Sequence, residues 1–227
     1  MAIQVVTDLN SVRRSTNMTL AFASAAVGDV FVLSLSSEDQ ANYTLAAPTK
    51  TAGAGAVGTI TSRVATTLTG HTYSGIYTCI CTTAGAVTFS VATPGLSMYG
   101  AVAIKFPTAD GYSLATTPVT VKTTGSGAPS ASITPTAAGN ILVAMNGDWN
   151  AVNGSGRAYR GTVTEEGYEF ASVAATLEWW IQTSTSGANN IGLTAPSGQI
   201  FTILAIEVLM AGAPEAELGR GWGLCLN

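Results

Sequence analysis

The sequence is poor in charged side chains. Only 10% of its 227 residues are Asp, Glu, Lys or Arg, against roughly 25% in an ordinary soluble domain. Because exposed charges help a single soluble domain to stay monomeric, their scarcity favours a surface that neighbouring subunits cover. The alternative is a neutral, Thr-rich surface that stays in contact with water.

Basic residues are too few and too scattered for a nucleic-acid-binding surface. The chain has 9 Lys and Arg against 13 Asp and Glu, which gives a net charge of −4. The only adjacent basic pair is Arg13–Arg14. Since a surface that binds phosphate groups needs clustered Lys and Arg, we expect no nucleic acid among the partners.

Long hydrophobic runs are missing as well. The most apolar segment, residues 198–213, carries Glu207 near its centre, whereas a membrane-spanning helix needs about 20 apolar residues. Residues 11–29 resemble a secretory signal, with two arginines before a mildly apolar stretch. That stretch is short and diluted with Ser and Thr, so we expect neither a signal nor a membrane partner.

Cysteine and histidine are nearly absent, which limits the available chemistry. Cys79 and Cys81 lie two positions apart in a strand-like run, where side-by-side residues rarely form a disulfide. With Cys225 they fit neither a disulfide framework nor a zinc signature, so we expect free thiols in a reducing compartment. His71 is the only histidine, and no motif around it suggests a Ser–His–Asp site.

The carboxylates leave two further possibilities for chemistry. On a regular strand Glu165 and Glu169 would share a face, as in a glycosidase pair, but a solvated strand face is the simpler interpretation. Asp148 and Asn150 could bind calcium, but two oxygen ligands are too few for a loop site. We therefore expect no enzyme, no catalytic residue, no metal and no cofactor.

Strand signals are abundant. Short runs of Val, Ile, Thr, Phe and Tyr alternate with clusters of Gly, Pro, Asn and Asp along the whole chain. No segment keeps a helical period with capping residues. Several short strands at regular spacing predict an all-β fold, and the one that we expect is a jelly-roll-like antiparallel β-sandwich.

Part of the sequence occurs twice. Four segments form two matching pairs, 25–35 with 136–146 and 82–106 with 185–208. Because the pairs keep the same order along the chain, we expect two similar half-units, at about residues 18–106 and 118–210. The half-units could form one sandwich together or one small sandwich each.

We expect a single β-sandwich domain over residues 1–211, because few strands look like solvated edges. An extended C-terminal arm over residues 212–227 follows it. In an extended register Trp222, Leu224 and Leu226 fall on one side of this arm. These three residues are the predicted interface, either with the arm's own sandwich or with a neighbouring subunit.

Two features of the predicted strands bear on burial. The strand at residues 29–36 is apolar on both faces. A two-layer sandwich covers only one face, so a loop, an arm or another subunit must cover the other.

Lys105 and Glu207 fall at equivalent positions of the two repeats. They either meet across a pseudo-twofold axis or, as we favour, point to solvent as unrelated charges.

One exposed loop carries side chains that are typical of recognition surfaces. These are Trp149, Arg157, Tyr159 and Arg160. Aromatic and Arg side chains are common anchors of protein interfaces and sugar-binding platforms. The alternative is an ordinary loop whose Trp folds back onto the sandwich edge.

The two repeats share an opening and an ending. Each opens with a Gly-Asp or Gly-Asn pair before an apolar strand, at Gly28–Asp29 and Gly139–Asn140. Each closes with an Ala-rich strand, at residues 101–106 and 203–210. This pattern, over about residues 20–210, resembles a β-sandwich module of bacteriophage virion proteins, found in minor tail proteins of actinobacteriophages. The Pro-x-Gly-Trp turn frequent in that module is absent.

The resemblance implies a structural, non-enzymatic role on the tail or the capsid surface of a virion assembled in the host cytoplasm. Its partners would be other virion proteins and further copies of the chain, as a homo-oligomer that we expect to be a trimer. A host-surface glycan is a further expected partner. The alternative function is a carbohydrate-binding module in which Trp149 and Tyr159 stack on sugars.

Overall fold

The computed structural model describes residues 2–10, 16–38, 45–68, 72–93, 98–149, 157–171, 175–197 and 199–211. The predicted arm with Trp222, Leu224 and Leu226 lies outside these residues, and so does the side chain of Trp149. His71 and Asn150 are also outside the described part of the chain.

The described residues form eighteen β-strands and one short 3-10 helix, Thr108–Asp110. The strands of the first half are β1 (Gln4–Asn10), β2 (Met18–Ala25), β3 (Val30–Glu38), β4 (Thr49–Ala52), β5 (Ala56–Val57), β6 (Thr61–Leu68), β7 (Thr72–Thr83), β8 (Gly85–Val91) and β9 (Met98–Phe106). Those of the second half are β10 (Tyr112–Ser113), β11 (Thr120–Gly127), β12 (Ser130–Ile133), β13 (Ile141–Trp149), β14 (Ala158–Tyr159), β15 (Val163–Ala171), β16 (Ala175–Thr183), β17 (Asn189–Ala195) and β18 (Gln199–Met210). The predicted all-β class is confirmed. In the described ranges, no helix is long and apolar enough to cross a membrane.

Each half consists of a large and a small antiparallel sheet. In the first half the large sheet has the order β1-β9-β3-β7, with β5 and β6 both paired to β7, and the small sheet is β2-β8-β4. In the second half the large sheet runs β11-β18-β13-β16-β15, with β10 also on β18, and the small sheet is β12-β17-β14. The chain passes repeatedly between the two sheets, as in a jelly roll. The predicted jelly-roll-like sandwich with two similar half-units is confirmed.

The two halves agree in register as well as in strand order. Val30 lies opposite Ile80 and Phe106 in the first half. Ile141 has the same place in the second half, opposite Thr183 and Val208. A β-bulge interrupts both the β6–β7 pair and the β15–β16 pair, at corresponding positions. The repeat therefore extends to irregular features that its sequence does not mark.

Three apolar clusters lie between the sheets. One fills the first sandwich around Phe31 and Phe89, and another fills the second sandwich around Trp180 and Ile191. The third, which we call the shared cluster, contains Trp179 and joins the two large sheets. Each half is thus a small sandwich of its own, the second of the two arrangements that the sequence left open. The two sandwiches pack back to back, and a single domain over residues 1–211 stays a prediction.

The shared cluster explains why central strands are apolar on both faces. On β3, Phe31 and Leu33 enter the core of the first sandwich. Val30 and Val32, which alternate with them, enter the shared cluster. The expectation of a loop, an arm or another subunit over this second face is wrong, because the other half of the same chain covers it.

The halves interlock at Trp179 of β16. A Cβ atom at Gly100, on β9 of the first half, would lie 2.5 Å from Cη2 of Trp179. Real Cβ contacts are not that short, so the indole occupies space that only a glycine leaves free. A second bridge joins the halves where Thr72 Oγ1 donates to Thr202 Oγ1 at 2.9 Å.

Lys105 and Glu207 are both buried, with relative exposures of 0% and 1%. The expectation that they point to solvent is wrong, and each is bound inside its own half instead of meeting the other. Lys105 Nζ donates to the carbonyl of Ser24 at 2.5 Å and lies 3.9 Å from Asp29 Oδ2. Glu207 Oε1 accepts from Asn140 Nδ2 at 2.6 Å. Burial requires such partners, because an unpaired charge in an apolar interior is very costly.

These contacts form the same brace in both halves with the charges exchanged. In the first half Asp29 Oδ1 accepts from the backbone N–H of Thr108 at 3.0 Å. In the second half Asn140 Oδ1 accepts from the backbone N–H of Met210 at 3.0 Å. The carboxylate of the first half is therefore Asp29, just before β3. In the second half the carboxylate is Glu207 on β18, at the position that Lys105 occupies in the first half. We call these two sets the polar braces.

The Gly-Asp and Gly-Asn openings of the repeats have a structural explanation. Gly28 and Gly139 have φ angles of 92° and 88°, which L side chains rarely adopt. The N–H of Gly28 donates to Cys81, and that of Gly139 donates to Ser184, each at 2.9 Å. The glycine thus forms the turn, and the residue after it supplies one side of the brace.

Candidate functional site

The described residues of the predicted recognition loop do not lie on one surface. Arg157 and Tyr159 both bind Glu165 on the large sheet of the second sandwich. Arg160 lies at the small sheet, where its Nε donates to the carbonyl of Leu193 at 2.9 Å. The side chain of Trp149 is not described, so its predicted role stays a prediction.

Arg157 is fixed by three neighbours on the large sheet. Its Nη2 donates to Glu165 Oε2 at 2.5 Å, and its Nε lies 3.7 Å from Glu178 Oε1. Its guanidinium carbon stands 3.6 Å from the ring centroid of Tyr168, a cation–π distance. This arginine therefore ties the chain before β14 to β15 and β16.

Tyr159 is also engaged inside the sandwich. Its hydroxyl donates to Glu165 Oε2 at 2.5 Å. Its ring packs on that of Trp180, with centroids 5.4 Å apart. The alternative of a sugar platform built from Trp149 and Tyr159 thus has only Trp149 left to supply a stacking ring.

Deeper in the sandwich, two carboxyl groups share one amide. Asn146 Nδ2 donates to Asp148 Oδ2 at 3.1 Å and to Glu178 Oε2 at 3.2 Å. All three side chains are buried. Together with the residues above they form what we call the polar cluster: Asn146, Asp148, Arg157, Tyr159, Glu165 and Glu178. The polar cluster connects the two sides of residues 150–156. Asn146 and Asp148 lie before this segment on β13, and Arg157 and Tyr159 lie after it.

Burial dominates the titration of the two inner carboxyl groups. Desolvation, followed by the charge of Asp148, raises the pKa of Glu178 to about 8, against the lowering effect of Asn146 and Arg157. Desolvation raises the pKa of Asp148 to about 6, although hydrogen bonds from Thr176 and Asn146 oppose it. Near neutral pH Glu178 therefore retains a proton that the same group would lose in water.

We expect the free energy of unfolding to fall as the pH rises from about 4.5 to about 8. In that window the folded chain keeps a proton on Glu178 that the unfolded chain has lost. Stability is therefore highest below the unfolded pKa and decreases by up to about 1.4 kcal/mol per pH unit. Asp148, Glu165, Arg157 and Tyr159 face the same carboxyl, and Asp148 adds to the slope between about 3.8 and about 6.

Urea unfolding followed by circular dichroism at several pH values measures this slope. Glu178→Gln should flatten it, since the amide keeps the shape of the side chain and does not titrate. Glu169→Gln is the matched control, because this carboxylate lies on β15 outside the polar cluster. Equal slopes for the wild type and Glu178→Gln would contradict the assignment.

The bulge in β15 separates the carboxylates that a regular strand would pair. Because the register shifts between Glu165 and Gly167, Glu165 lies opposite Trp180 and Glu169 lies opposite Leu177. Trp180 and Leu177 enter different apolar clusters, on opposite faces of the sheet. The expectation that Glu165 and Glu169 share a face is therefore wrong.

The polar cluster belongs to the second half alone. In the second half Asn146 lies opposite Glu178 across β13 and β16. In the first half the corresponding pair is Leu35 opposite Gly75, and Leu35 is part of an apolar core. The sequence contained a signal for this difference, because the repeat aligns Asn146 with Leu35. A polar residue at a core position of a repeated strand indicates a local specialisation.

The arrangement can hold protons and fix the residues on either side of positions 150–156. Among the described side chains, no group of three or more His, Cys, Asp and Glu is suited to a metal ion. No protein-family model, curated protein or solved structure matches the chain. Residues that differ between the two halves therefore distinguish the specialised positions from the shared scaffold.

Proposed function

We propose that the chain is a structural component of a bacteriophage particle, a minor tail, tail-tip or capsid decoration protein that works by assembly. The observation that carries this proposal is the duplicated jelly roll, with two sandwiches packed back to back on a shared cluster. Jelly rolls are a common architecture of viral capsid and lectin domains. The resemblance of both repeats to a virion module favours the first of these two classes.

The fold limits the surfaces that remain for contacts with neighbouring subunits. The central strands of both large sheets are buried within the chain. The outer faces of the small sheets, the sheet edges and residues 212–227 are left for assembly. Three large apolar side chains are exposed in the described ranges: Val27, Ile80 and Met210. All three adjoin the polar braces. Val27 precedes Gly28, Ile80 precedes Cys81, whose backbone binds Gly28 and Asp29, and the N–H of Met210 donates to Asn140. We propose that neighbouring subunits cover these ends.

The full chain should therefore form a homo-oligomer, which we propose to be a trimer. A stable interface buries more than about 1,000 Å². Light scattering should give a multiple of the 23.0 kDa chain mass. A chain that ends at Ala211 should give the monomer mass if the arm carries Trp222, Leu224 and Leu226 to a neighbour.

Antibodies against the purified chain should then label the tail or the capsid surface of phage particles in electron microscopy. A monomer that is insensitive to the truncation would contradict the role of the arm. Particles that contain no copy of the chain would overturn the proposed function.

A further inference from the structure

Two adjoining cavities form a polar groove on the second sandwich. One, of about 430 Å³, lies between the ends of β15, β16 and β17 and is lined by Gln182, Thr185 and Asn190. The other, of about 290 Å³, is lined by Ser132, Arg160 and again Asn190. Asn190 lines both cavities, so the two adjoin at this residue. The first volume falls in the lower part of the range for small-molecule sites, roughly 300–1,000 Å³, and the second lies just below that range.

Gln182 lines this groove with an unsatisfied acceptor. Its side chain is 8% exposed, and its Oε1 has no hydrogen-bond partner among the described residues. A Cβ at Gly161 would lie 2.9 Å from Gln182 Nε2, so the glycine leaves the space that the amide needs. A buried carbonyl without a donor is unfavourable. A hydroxyl group that reached this oxygen would supply the missing donor.

Arg160 gives the groove a positive charge, and it forms no salt bridge with the residues that the structure describes. Its Nε donates to the carbonyl of Leu193 and its backbone N–H donates to Gly192, which fixes the guanidinium at the cavity. Its two Nη groups have no hydrogen-bond partner in the described part of the chain. No described Asp or Glu lines either cavity, although the whole chain carries a net charge of −4.

The groove is not part of the scaffold that the two halves share. Asn190 lies opposite Ser132 on β12, whereas the first half has Thr88 opposite Ala21 at this place. Gln182 corresponds to Cys79, since each lies opposite the equivalent residue of the central strand. At these two positions the amide side chains are therefore present in the second half alone.

We propose that the polar groove binds an acidic saccharide, with the sugar carboxylate on the Nη groups of Arg160 and the sugar hydroxyls on Gln182 and Asn190. The lining mixes hydroxyl and amide groups, which donate and accept, with one guanidinium, which pairs with a planar carboxylate. A phosphate site would instead have clustered cations or a helix N-terminus. This proposal goes beyond the role in a particle and does not depend on it.

Ligand-observed NMR with the full chain tests the proposal. The acidic probes are methyl β-D-glucuronide and the methyl glycoside of N-acetylneuraminic acid, the neutral probe is methyl β-D-glucoside, and inorganic phosphate is a fourth arm. At least one acidic probe should bind roughly tenfold more tightly than the neutral one, because a charge-assisted hydrogen bond is added. Equal binding of acidic and neutral probes, no binding of any sugar, or binding of phosphate alone would overturn it.

Matched substitutions in the two halves locate the site. Arg160→Gln should weaken the acidic probe roughly tenfold and leave the neutral probe unchanged, whereas Arg160→Lys should retain part of the preference. Asn190→Ala should weaken both probes, and Thr88→Ala, its first-half counterpart, should weaken neither. Lys50→Gln, on the first-half strand β4, controls for the loss of one positive charge. An equal effect of Lys50→Gln would overturn the assignment to Arg160 and leave the proposed particle role untouched.

Discussion

Replacing Trp179 by alanine is expected to lower the free energy of unfolding by about 3–5 kcal/mol. The side chain is 1% exposed and lies in the shared cluster, against Gly100 of the first half. Removing the indole leaves a cavity between two large sheets, which cannot collapse because each is also packed against its own small sheet. Urea unfolding followed by far-ultraviolet circular dichroism measures the loss.

Trp180→Ala is the matched control for this experiment. Trp180 is also buried, but it belongs to the core of the second sandwich alone. In hydrogen exchange, Trp179→Ala should therefore lower the protection of amides on β3 and β9 of the first half. Trp180→Ala should act mainly on the second half. Unchanged protection of β3 and β9 in Trp179→Ala would contradict the coupling of the halves through the shared cluster.

Replacing Lys105 by methionine is expected to cost about 3–5 kcal/mol, the usual result of removing one partner of a buried ion pair. Methionine fills the space but leaves Asp29, at 1% exposure, without its cation. It also leaves the carbonyl of Ser24 without the donor that reaches it at 2.5 Å. Chemical unfolding of the purified variant measures this effect.

The second half suggests the compensating change for Lys105→Met. There the position of Asp29 is occupied by Asn140, which makes the same backbone contact without a charge. Asp29→Asn combined with Lys105→Met should therefore recover part of the stability that Lys105→Met alone loses. A double variant as unstable as the sum of the two single variants would show that the charges of the brace do not act on each other.

The strand pattern predicted the class, the duplication and the central strands, because alternation and repeats are local properties of the sequence. It did not predict what covers β3. Apolar residues on both faces require two neighbours, but nothing along the strand says that the second is the other half. The same limit applies to Lys105, whose strand alternation places it with Ala101 and Ala103 on the core side. The partner that makes its burial tolerable, Asp29, is distant in sequence.

The polar cluster was missed for two physical reasons. Glu165 changes face because of a bulge, which depends on how β15 pairs with β16 and leaves no mark in composition. Glu178 lies among apolar residues, and only its pairing with Asn146 shows why a carboxyl group can be there. The sequence indicates Arg157, Tyr159 and Arg160 only because Arg and aromatic side chains are common at recognition surfaces. The structure assigns the first two to the polar cluster and the third to the polar groove.

A chain that contains nearly the same sandwich twice is at risk of mispairing its copies while it folds. The polar braces discriminate against this error. If β18 took the place of β9 beside β3, Glu207 would be buried against Asp29 with no cation between them. If β9 took the place of β18 beside β13, Lys105 would face the neutral Asn140. Because the charges of the two braces are exchanged, β3 pairs favourably with β9 and not with β18, and β13 pairs favourably with β18 and not with β9.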